Sequence, residues 1–297
     1  MTVILVTGAT GRIGSLVANK LVELNHAPRV FVRDVDKAVK LLAPKVEIVV
    51  GDLADQDAVA RAVDAVDRLL IVSPVHPDQR LLQGNLARAA ASVGKPLIVK
   101  ISGLGTKGDS YIDSGRWHAE TEADIESLGL PYAFLRPNFF MQNLGFAIAN
   151  CRETGEIRAA VEDARIAMVD VRDIADVCVN LLTGEAELTD GAYALTGPVA
   201  YDYVEVAKLL SGLLGRNVAY VQQSLDEARA SLEATGQPAW HIEILLQFNR
   251  AFRDGWGSEP NDVVARVLGR APRTLADYLA EAVGRGEANP GSNPFPS

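Results

Sequence analysis

The sequence is poor in cysteine, has no excess of basic residues and contains no long apolar run. Its two cysteines, Cys151 and Cys178, are too few for a disulfide framework or a metal-ligand cluster, so we expect no metal and a reduced, cytoplasmic setting. The net charge of −9 argues against a nucleic-acid partner, because phosphate backbones are bound through basic stripes. No stretch approaches the ~18 apolar residues that span a bilayer, so no membrane partner is expected. The first ten residues have no basic segment, which argues against a signal peptide.

Apolar runs alternate with segments of helix length along the first half of the chain. The runs are residues 3–6, 30–32, 46–50, 69–72, 97–101 and 132–135. The segments between them include residues 12–24, 56–66 and 79–93. Continuous apolar strands that alternate with helices are typical of a parallel sheet covered on both faces. The sequence therefore predicts an α/β protein with a Rossmann-type, doubly wound parallel sheet.

After residue 138 the strands become short and scattered, and long helices dominate. Predicted strands lie at residues 157–160, 193–195 and 218–221, and predicted helices at 204–214, 226–234, 240–252 and 274–283. We divide the 297 residues into a dinucleotide-binding domain (1–138), a smaller, mostly helical substrate-side lobe interleaved with the last sheet strands (139–286), and a flexible tail (287–297). The pattern leaves open whether the protein is a monomer or a homodimer.

A glycine-rich turn, T-G-A-T-G-R-I-G, lies directly between the first strand and the first helix. In such a turn Gly8 permits the tight bend, Gly11 lets the backbone approach a pyrophosphate, and Gly14 lets the helix pack closely on the strand. The start of the helix then offers unpaired N–H groups and a positive dipole end to phosphates. The turn therefore predicts a bound dinucleotide.

The end of the second strand bears on which dinucleotide is bound. NAD-binding proteins usually place a carboxylate there for the ribose 2′-hydroxyl, whereas NADP-binding proteins place a cation for the 2′-phosphate. Here Arg33 ends the strand and Lys37 follows four residues later, with Asp34 and Asp36 beside them. We expect NADP(H), with NAD(H) as a possible alternative.

Five motifs, in a fixed order, identify a family. They are the glycine turn, R-D-V-D-K (33–37), G-D-L-A-D (51–55), L-G-L-P-Y-A-F-L-R-P-N-F-F-M-Q-N (128–143) and D-V-R-D-I-A-D-V (170–177). From residue 2 to about residue 283 the chain resembles the NmrA-like branch of atypical short-chain dehydrogenases/reductases. Within that branch it is most similar to the group of type-2 quinone oxidoreductases and triphenylmethane reductases.

The resemblance implies that NADP(H) lies in an extended cleft above the sheet. It assigns the pyrophosphate to the turn residues Thr7, Gly8, Ala9, Thr10, Gly11, Arg12, Ile13 and Gly14. It assigns the 2′-phosphate to Arg33 and Lys37, the adenine to Asp52 and Leu53, and the ribose to Ser73, Pro74 and Val75. Pro137, Asn138 and Phe139 would flank the nicotinamide. From the residues themselves, Lys100, two positions before Ser102 on the fifth strand, would contact the cofactor ribose or a substrate oxygen, or else extend past the sheet into solvent.

Ordinary members of this family use a Tyr-x-x-x-Lys pair, which is absent here. None of the seven tyrosines has a lysine four residues later, and alignment on the resemblance puts His118 in place of the lysine and Ser114, the expected N-cap of its helix, in place of the tyrosine. Serine is a poor proton donor at neutral pH, so carbonyl–alcohol dehydrogenation is disfavoured. The candidate catalytic residues are His118, which would bind a ribose hydroxyl or relay a proton, and Glu122, which would orient it from the same helix face. A purely structural role for His118 is the alternative.

Apolar residues supply a candidate substrate pocket. Phe139, Phe140 and Met141 would form an apolar floor, and a C-terminal helix carries the aromatic residues Trp240, Phe248 and Phe252, which would form a lid or, equally in keeping with their spacing, a helix core. The predicted function is NADPH-dependent hydride transfer to a quinone or similar planar aromatic substrate. The alternatives are a redox sensor that binds NAD(P)(H) without turnover and a tailoring oxidoreductase of aromatic polyketides.

Overall fold

A computed structural model describes residues 2–188 and 190–285. The strands in these ranges are β1 (Ile4–Thr7), β2 (Arg29–Val32), β3 (Glu47–Val50), β4 (Arg68–Ile71), β5 (Leu97–Ile101), β6 (Tyr132–Pro137), β7 (Glu156–Ala159), β8 (Gly191–Leu195) and β9 (Ala219–Gln222). The helices are α1 (Arg12–Glu23), α2 (Val35–Leu41), α3 (Gln56–Val63), α4 (Gln79–Val93), α5 (Asp113–Ser127), α6 (Gly145–Thr154), α7 (Val171–Thr183), α8 (Tyr203–Leu214), α9 (Leu225–Glu233), α10 (Ala239–Arg253), α11 (Val263–Leu268) and α12 (Leu275–Gly284). A 3-10 turn, Met141–Leu144, precedes α6.

Seven strands form one sheet in the order β3-β2-β1-β4-β5-β6-β8, and each neighbouring pair is parallel. The strand order reverses between β1 and β4. Open parallel sheets bind ligands outside the carboxyl ends of their strands at such a reversal. The prediction of a doubly wound parallel sheet is confirmed, and the reversal places the glycine turn after β1 at the expected ligand edge.

Helices cover both faces of the sheet. Side chains alternate between the faces along each strand, so each strand contributes to two cores. On β1, Val6 belongs to the core under α1 and α7, whereas Leu5 belongs to the core under α3, α4 and α5. Ile98 of β5 lies in this second core. Lys100 and Ser102, two and four residues further on, therefore point to the side covered by α4 and α5.

The second half of the chain contributes to two bodies. It supplies β8 to the main sheet, and α7 packs beside α1 on one face. It also builds a separate core around α6, α8 and α12 with the small parallel sheet β7–β9, to which Met141 and Leu279 belong. The division at residue 138 stays a prediction, and residue 286 and the predicted tail, 287–297, lie outside the described residues.

Element boundaries differ from the sequence predictions by up to three residues, at strand ends as well as at helix ends. Helix α4 has its predicted bounds, 79–93, whereas the helix predicted over 56–66 ends at Val63. The prediction that Ser114 caps α5 is wrong, because the helix begins at Asp113 after Ile112, and Ser114 is buried within its first turn. Among the described helices, none has the length and apolar character needed to cross a membrane.

Candidate active site

The turn after β1 can be closed only by glycine at two of its positions. Gly8 has a φ of +60°, and a Cβ atom there would lie 2.6 Å from the carbonyl oxygen of Val72. A Cβ atom on Gly14 would lie 2.3 Å from the carbonyl oxygen of Gly8, so α1 packs directly under the turn. The N-cap of α1 is Gly11, which has no side chain to accept from the first N–H groups of the helix. These N–H groups are suited to a pyrophosphate.

Side chains of the turn are held by their own surroundings. The Thr7 hydroxyl lies 3.0 Å from the carbonyl oxygens of both Leu70 and Val72 and can donate to either, which ties β1 to β4, and Ala9 is buried. The half-buried Arg12 donates to Asn143 Oδ1 at 3.1 Å, and burial lowers the pKa of its guanidinium, which stays charged. Thr7, Ala9 and Ile13 can therefore contribute mainly backbone groups to a phosphate site, whereas the half-buried Thr10 keeps its hydroxyl and Arg12 carries a charge beside it.

The carboxyl ends of β2 and β3 bring Arg33 and Asp52 together, with Arg33 Nη1 3.9 Å from Asp52 Oδ2. The Arg33 side chain is 72% exposed, and Lys37 is exposed one helical turn along α2. Asp34 is engaged as the N-cap of α2, where its carboxylate accepts from the Lys37 N–H at 2.9 Å. Leu53, the other predicted adenine contact, accepts through its carbonyl from Asn85 Nδ2 (2.8 Å). This edge offers a 2′-phosphate two exposed cations, Lys37 and the Arg33 that lies beside Asp52, and it uses Asp34 for capping.

The segment after β4 contains the predicted ribose residues Ser73, Pro74 and Val75. Gln83 of α4 donates through Nε2 to Ser73 Oγ at 2.7 Å. Ser73 Oγ in turn donates to the Pro74 carbonyl oxygen at 3.1 Å. The segment is thus held against the start of α4 at the ligand edge of the sheet.

A buried polar cluster joins β5, α4 and α5. Lys100 has no exposed surface, and its Nζ donates to Ser102 Oγ (2.8 Å) and, more weakly, to the Ile101 carbonyl oxygen (3.4 Å). Lys100 Nζ also lies 2.9 Å from His118 Nδ1. Gln79 Nε2, at the start of α4, lies 2.8 Å from the same imidazole nitrogen. Of the two alternatives for Lys100, extension into solvent is wrong, because the helices above β5 enclose it, and contact with a cofactor or substrate stays a prediction.

Both titratable groups of this cluster are shifted towards their neutral forms. Burial lowers the pKa of Lys100 to about 7, with Glu122 opposing and Arg136 reinforcing the shift. Burial lowers the pKa of His118 well below its usual range, and the positive charges of Lys100 and Arg136 act in the same direction. At neutral pH the imidazole is uncharged, and the amine lies close to its titration point.

Glu122 has a different partner from the one predicted. It shares the α5 face of His118, but its buried carboxylate forms an ion pair with the half-buried Arg136 of β6. Within the described residues, the two hydrogen bonds of His118 are made with Gln79 and Lys100. The prediction that Glu122 orients His118 is therefore wrong; an i, i+4 spacing puts two side chains on one face but does not pair them when a stronger, charged partner is in reach.

The predicted nicotinamide residues at the end of β6 are mostly buried. Asn138 donates through Nδ2 to the carbonyl oxygens of Ala167 (3.0 Å) and Gly257 (2.9 Å), and its Oδ1 accepts from the Phe139 N–H (2.8 Å). Pro137 is buried beside it. The Asn138 amide is fully used in fastening the end of β6 to two loops, so its contribution to a cofactor site is to shape the backbone there.

The predicted apolar pocket is only partly assembled. Phe139 makes an edge contact with Phe252 (ring centroids 5.7 Å apart), and Phe248 stacks on Phe252 at 6.2 Å. Met141 is only 1% exposed and belongs to the core around α6, α8 and α12, and Phe140 packs on the sheet core, so the prediction that these two residues form an apolar floor for a substrate is wrong. Trp240 instead contacts His76 and Trp117, over the segment that follows β4.

For two residues near this edge, Gln79 and Trp256, no role was predicted from the sequence. Gln79, which contacts His118, lies at the start of α4, where Gln79 and Gln83 form a buried polar pair at i, i+4 spacing that could have signalled a site. Trp256 lies in D-G-W-G after α10 and contacts Tyr111 (ring centroids 5.2 Å apart) in the loop between β5 and α5. A tryptophan between two glycines signals a close backbone approach, but not where the ring packs.

The fold and the glycine turn define a dinucleotide-binding protein of the short-chain dehydrogenase/reductase type. The sequence model of the NmrA-like family matches residues 1–279. The chain belongs to the NmrA-like family, as its motifs predicted.

Relatives of known name cover nearly the whole chain. The chain is 34% identical to the NAD(P)H azoreductase of Xenophilus azovorans over 275 residues, which is 93% of this chain and 96% of the azoreductase. It is similar to the structure of the NADPH-dependent quinone oxidoreductase QOR2 from Escherichia coli complexed with NADPH (TM-score 0.87, 25% identity, 94% and 99% of the two chains). It is also similar to the Citrobacter sp. triphenylmethane reductase complexed with NADP(H) (TM-score 0.83, 27% identity, 94% and 99%).

Proposed function

We propose that this NAD(P)H-dependent oxidoreductase reduces quinones, or similarly planar conjugated aromatic compounds, with NADPH. The observation that carries the proposal is the Lys100–His118–Gln79 cluster at the ligand edge, in which His118 stands at the position that the family resemblance assigns to a lysine. A neutral imidazole is a weak acid and serves poorly to protonate a localised alkoxide. The anion of a reduced quinone is delocalised and needs only a modest donor, so positioning of a planar acceptor supplies most of the catalysis.

The residues at the ligand edge fit a bound NADPH. The open N–H groups at the start of α1 suit its pyrophosphate, and the exposed Arg33 and Lys37 suit its 2′-phosphate. The carboxylate that would favour NAD(H) instead caps α2. When bound, the reduced nicotinamide supplies the hydride. The names of the relatives, an azoreductase, a quinone oxidoreductase and a triphenylmethane reductase, agree in pointing to extended aromatic acceptors.

The test is direct. Purified protein is mixed with NADPH and a panel of benzoquinones, naphthoquinones and azo dyes, and the absorbance of the reduced nicotinamide is followed. We expect saturable oxidation above the uncatalysed rate. Gly8→Val is the control, because its side chain would collide with the Val72 carbonyl group and distort the glycine turn, so it should abolish the activity. If every acceptor gives only the background rate while NADP⁺ and NADPH bind with different affinities, the protein is instead a redox sensor.

A further inference from the structure

We propose that Lys100 is the internal proton source of the reaction and passes its proton through the imidazole of His118 to the reduced acceptor, with Gln79 positioning the ring. The inference rests on the proposed reduction of quinones and adds the route of the proton. Its basis is the pair of short contacts that converge on one imidazole nitrogen, 2.9 Å from Lys100 Nζ and 2.8 Å from Gln79 Nε2.

The contacts define which nitrogen of His118 carries hydrogen. A protonated Lys100 has only donors, so Nδ1 accepts from it, whereas the Gln79 amide can present its nitrogen or its oxygen and does not decide the tautomer. A neutral imidazole that accepts at Nδ1 carries its hydrogen on Nε2. Within the described residues, both hydrogen bonds of His118 are made at Nδ1, which leaves the Nε2–H group for a ligand.

Lys100 is an unusually acidic ammonium group. Its three hydrogens have partners in Ser102, Ile101 and His118, so it is well held, yet it lies wholly inside the protein. Burial brings its pKa to about 7, against about 10.4 for a lysine in water. At neutral pH it can therefore both hold a proton and release it, as a proton donor must.

The proton transfer balances without a further reactant. The anionic oxygen of the reduced acceptor takes the hydrogen from His118 Nε2, and His118 Nδ1 takes a proton from Lys100. The N–H bonds broken at Nε2 and Nζ are replaced by an O–H bond and an Nδ1–H bond. Lys100 is left as a neutral amine; after the product leaves, His118 Nε2 takes a proton from water and the Nδ1 hydrogen returns to Lys100 Nζ, which restores the starting state.

Gln79 can form a hydrogen bond with the imidazole of His118 both before and after this transfer. Its Oε1 is buried and has no partner among the described residues. A half-turn of the amide exchanges the donor that faces Nδ1 for this acceptor, which can then hold an Nδ1–H group. The charged groups that face the cluster are Glu122 of α5 and Arg136 of β6, which form their own ion pair and so supply a fixed field.

The first experiment measures the tautomer of the His118 imidazole, in the absence of cofactor and turnover. Nitrogen-15 NMR of histidine-labelled protein, assigned with His118→Asn, should report hydrogen on Nε2 of His118. The Nδ1 shift should move as the pH passes through about 7, because Lys100 then loses its proton. This step should vanish in Lys100→Met, a near-isosteric change that keeps the site filled, and persist in Lys208→Met, which alters an exposed lysine on α8. An Nδ1–H tautomer in the unmodified protein, or a step that survives in Lys100→Met, overturns the proposal.

The second experiment follows turnover. With a quinone acceptor, kcat of the unmodified enzyme should decrease as the pH rises through about 7, and Lys100→Met should lower kcat at pH 6.5 by ~10-fold or more and remove the pH dependence. Gln79→Glu offers a carboxylate to Nδ1–H, so it should reverse the tautomer in the NMR spectrum and lower kcat while KM for NADPH stays unchanged.

The two proposals fail in different ways. Quinone reduction with the same kcat and pH profile in Lys100→Met overturns the proton route and leaves the proposed function standing. A protein that reduces none of the acceptors overturns the proposed function and the route together, even when the NMR step at Lys100 is present.

Discussion

The six-membered ring of Trp256 lies against Gly105 so closely that a Cβ atom on Gly105 would come within 2.0 Å of it. Gly105 belongs to the loop after β5, and Trp256 belongs to the loop after α10. The residue after Trp256, Gly257, accepts a hydrogen bond from Asn138 at the end of β6. The contact therefore fastens the C-terminal helices over the edge where β5 and β6 end.

Gly105→Ala should displace this indole. The position has a φ of +80°, so the new side chain meets both backbone strain and the ring, and we expect a loss of about 1–3 kcal/mol in the free energy of unfolding. KM for the acceptor should increase as well. Denaturant unfolding and steady-state kinetics measure the two effects. Gly108→Ala, in the same loop and with open space around its Cβ position, is the matched control, and equal behaviour of the two variants would contradict the role of the contact.

Arg33 should determine the choice of cofactor. A charge-assisted contact with the 2′-phosphate is available only with NADPH, so the unmodified protein should bind NADPH more tightly than NADH. Arg33→Ala should reduce the preference by about tenfold, near the ~1.4 kcal/mol of one such contact, and Lys37→Ala should reduce it less. Titration calorimetry with both nucleotides gives the affinities. Equal affinities in the unmodified protein would mean that Asp34 leaves its capping position and faces the ribose.

His118 should contribute to stability as well as to turnover. Its removal in His118→Ala leaves Lys100 and Gln79 without their shared acceptor, at a cost of about 1–3 kcal/mol in the free energy of unfolding. His118→Asn keeps an acceptor near the Nδ1 position and has no Nε2, so it should regain most of the melting temperature while kcat stays ~10-fold or more below normal. Full activity in His118→Asn would assign His118 a structural role.

Lys100 should make stability depend on pH in a defined window. Its pKa is about 7 in the folded protein and close to 10.4 when unfolded, so between these values the unfolded chain binds more protons. The free energy of unfolding of the unmodified protein should therefore rise relative to Lys100→Met from pH 7 upwards, by up to about 1.4 kcal/mol per pH unit. Urea unfolding at pH 7, 8 and 9 measures the difference. A constant difference would show that the amine stays protonated inside the protein.

The sequence by itself determined the features that depend on neighbours in the chain. The apolar runs predicted the parallel strands, the turn at Gly8 and Gly14 has the tight geometry that its spacing predicted, and α4 has its predicted bounds. Such features follow from local backbone preferences and from the period of one helix or strand, which a sequence displays directly.

Only the tertiary structure decided which side chains meet. Lys100 and His118 each stood out in the sequence, but their contact joins residues 18 positions apart on a strand and a helix, and Gln79 reaches His118 across 39 positions. Glu122 was expected to pair with His118 and instead binds Arg136. The ring of Trp256 packs against Gly105, which is distant from it in the sequence. Helix periodicity fixes the face on which a residue lies, whereas its partner depends on how separate elements pack, and burial inside that packing, rather than residue type, moves the pKa of Lys100 towards neutrality.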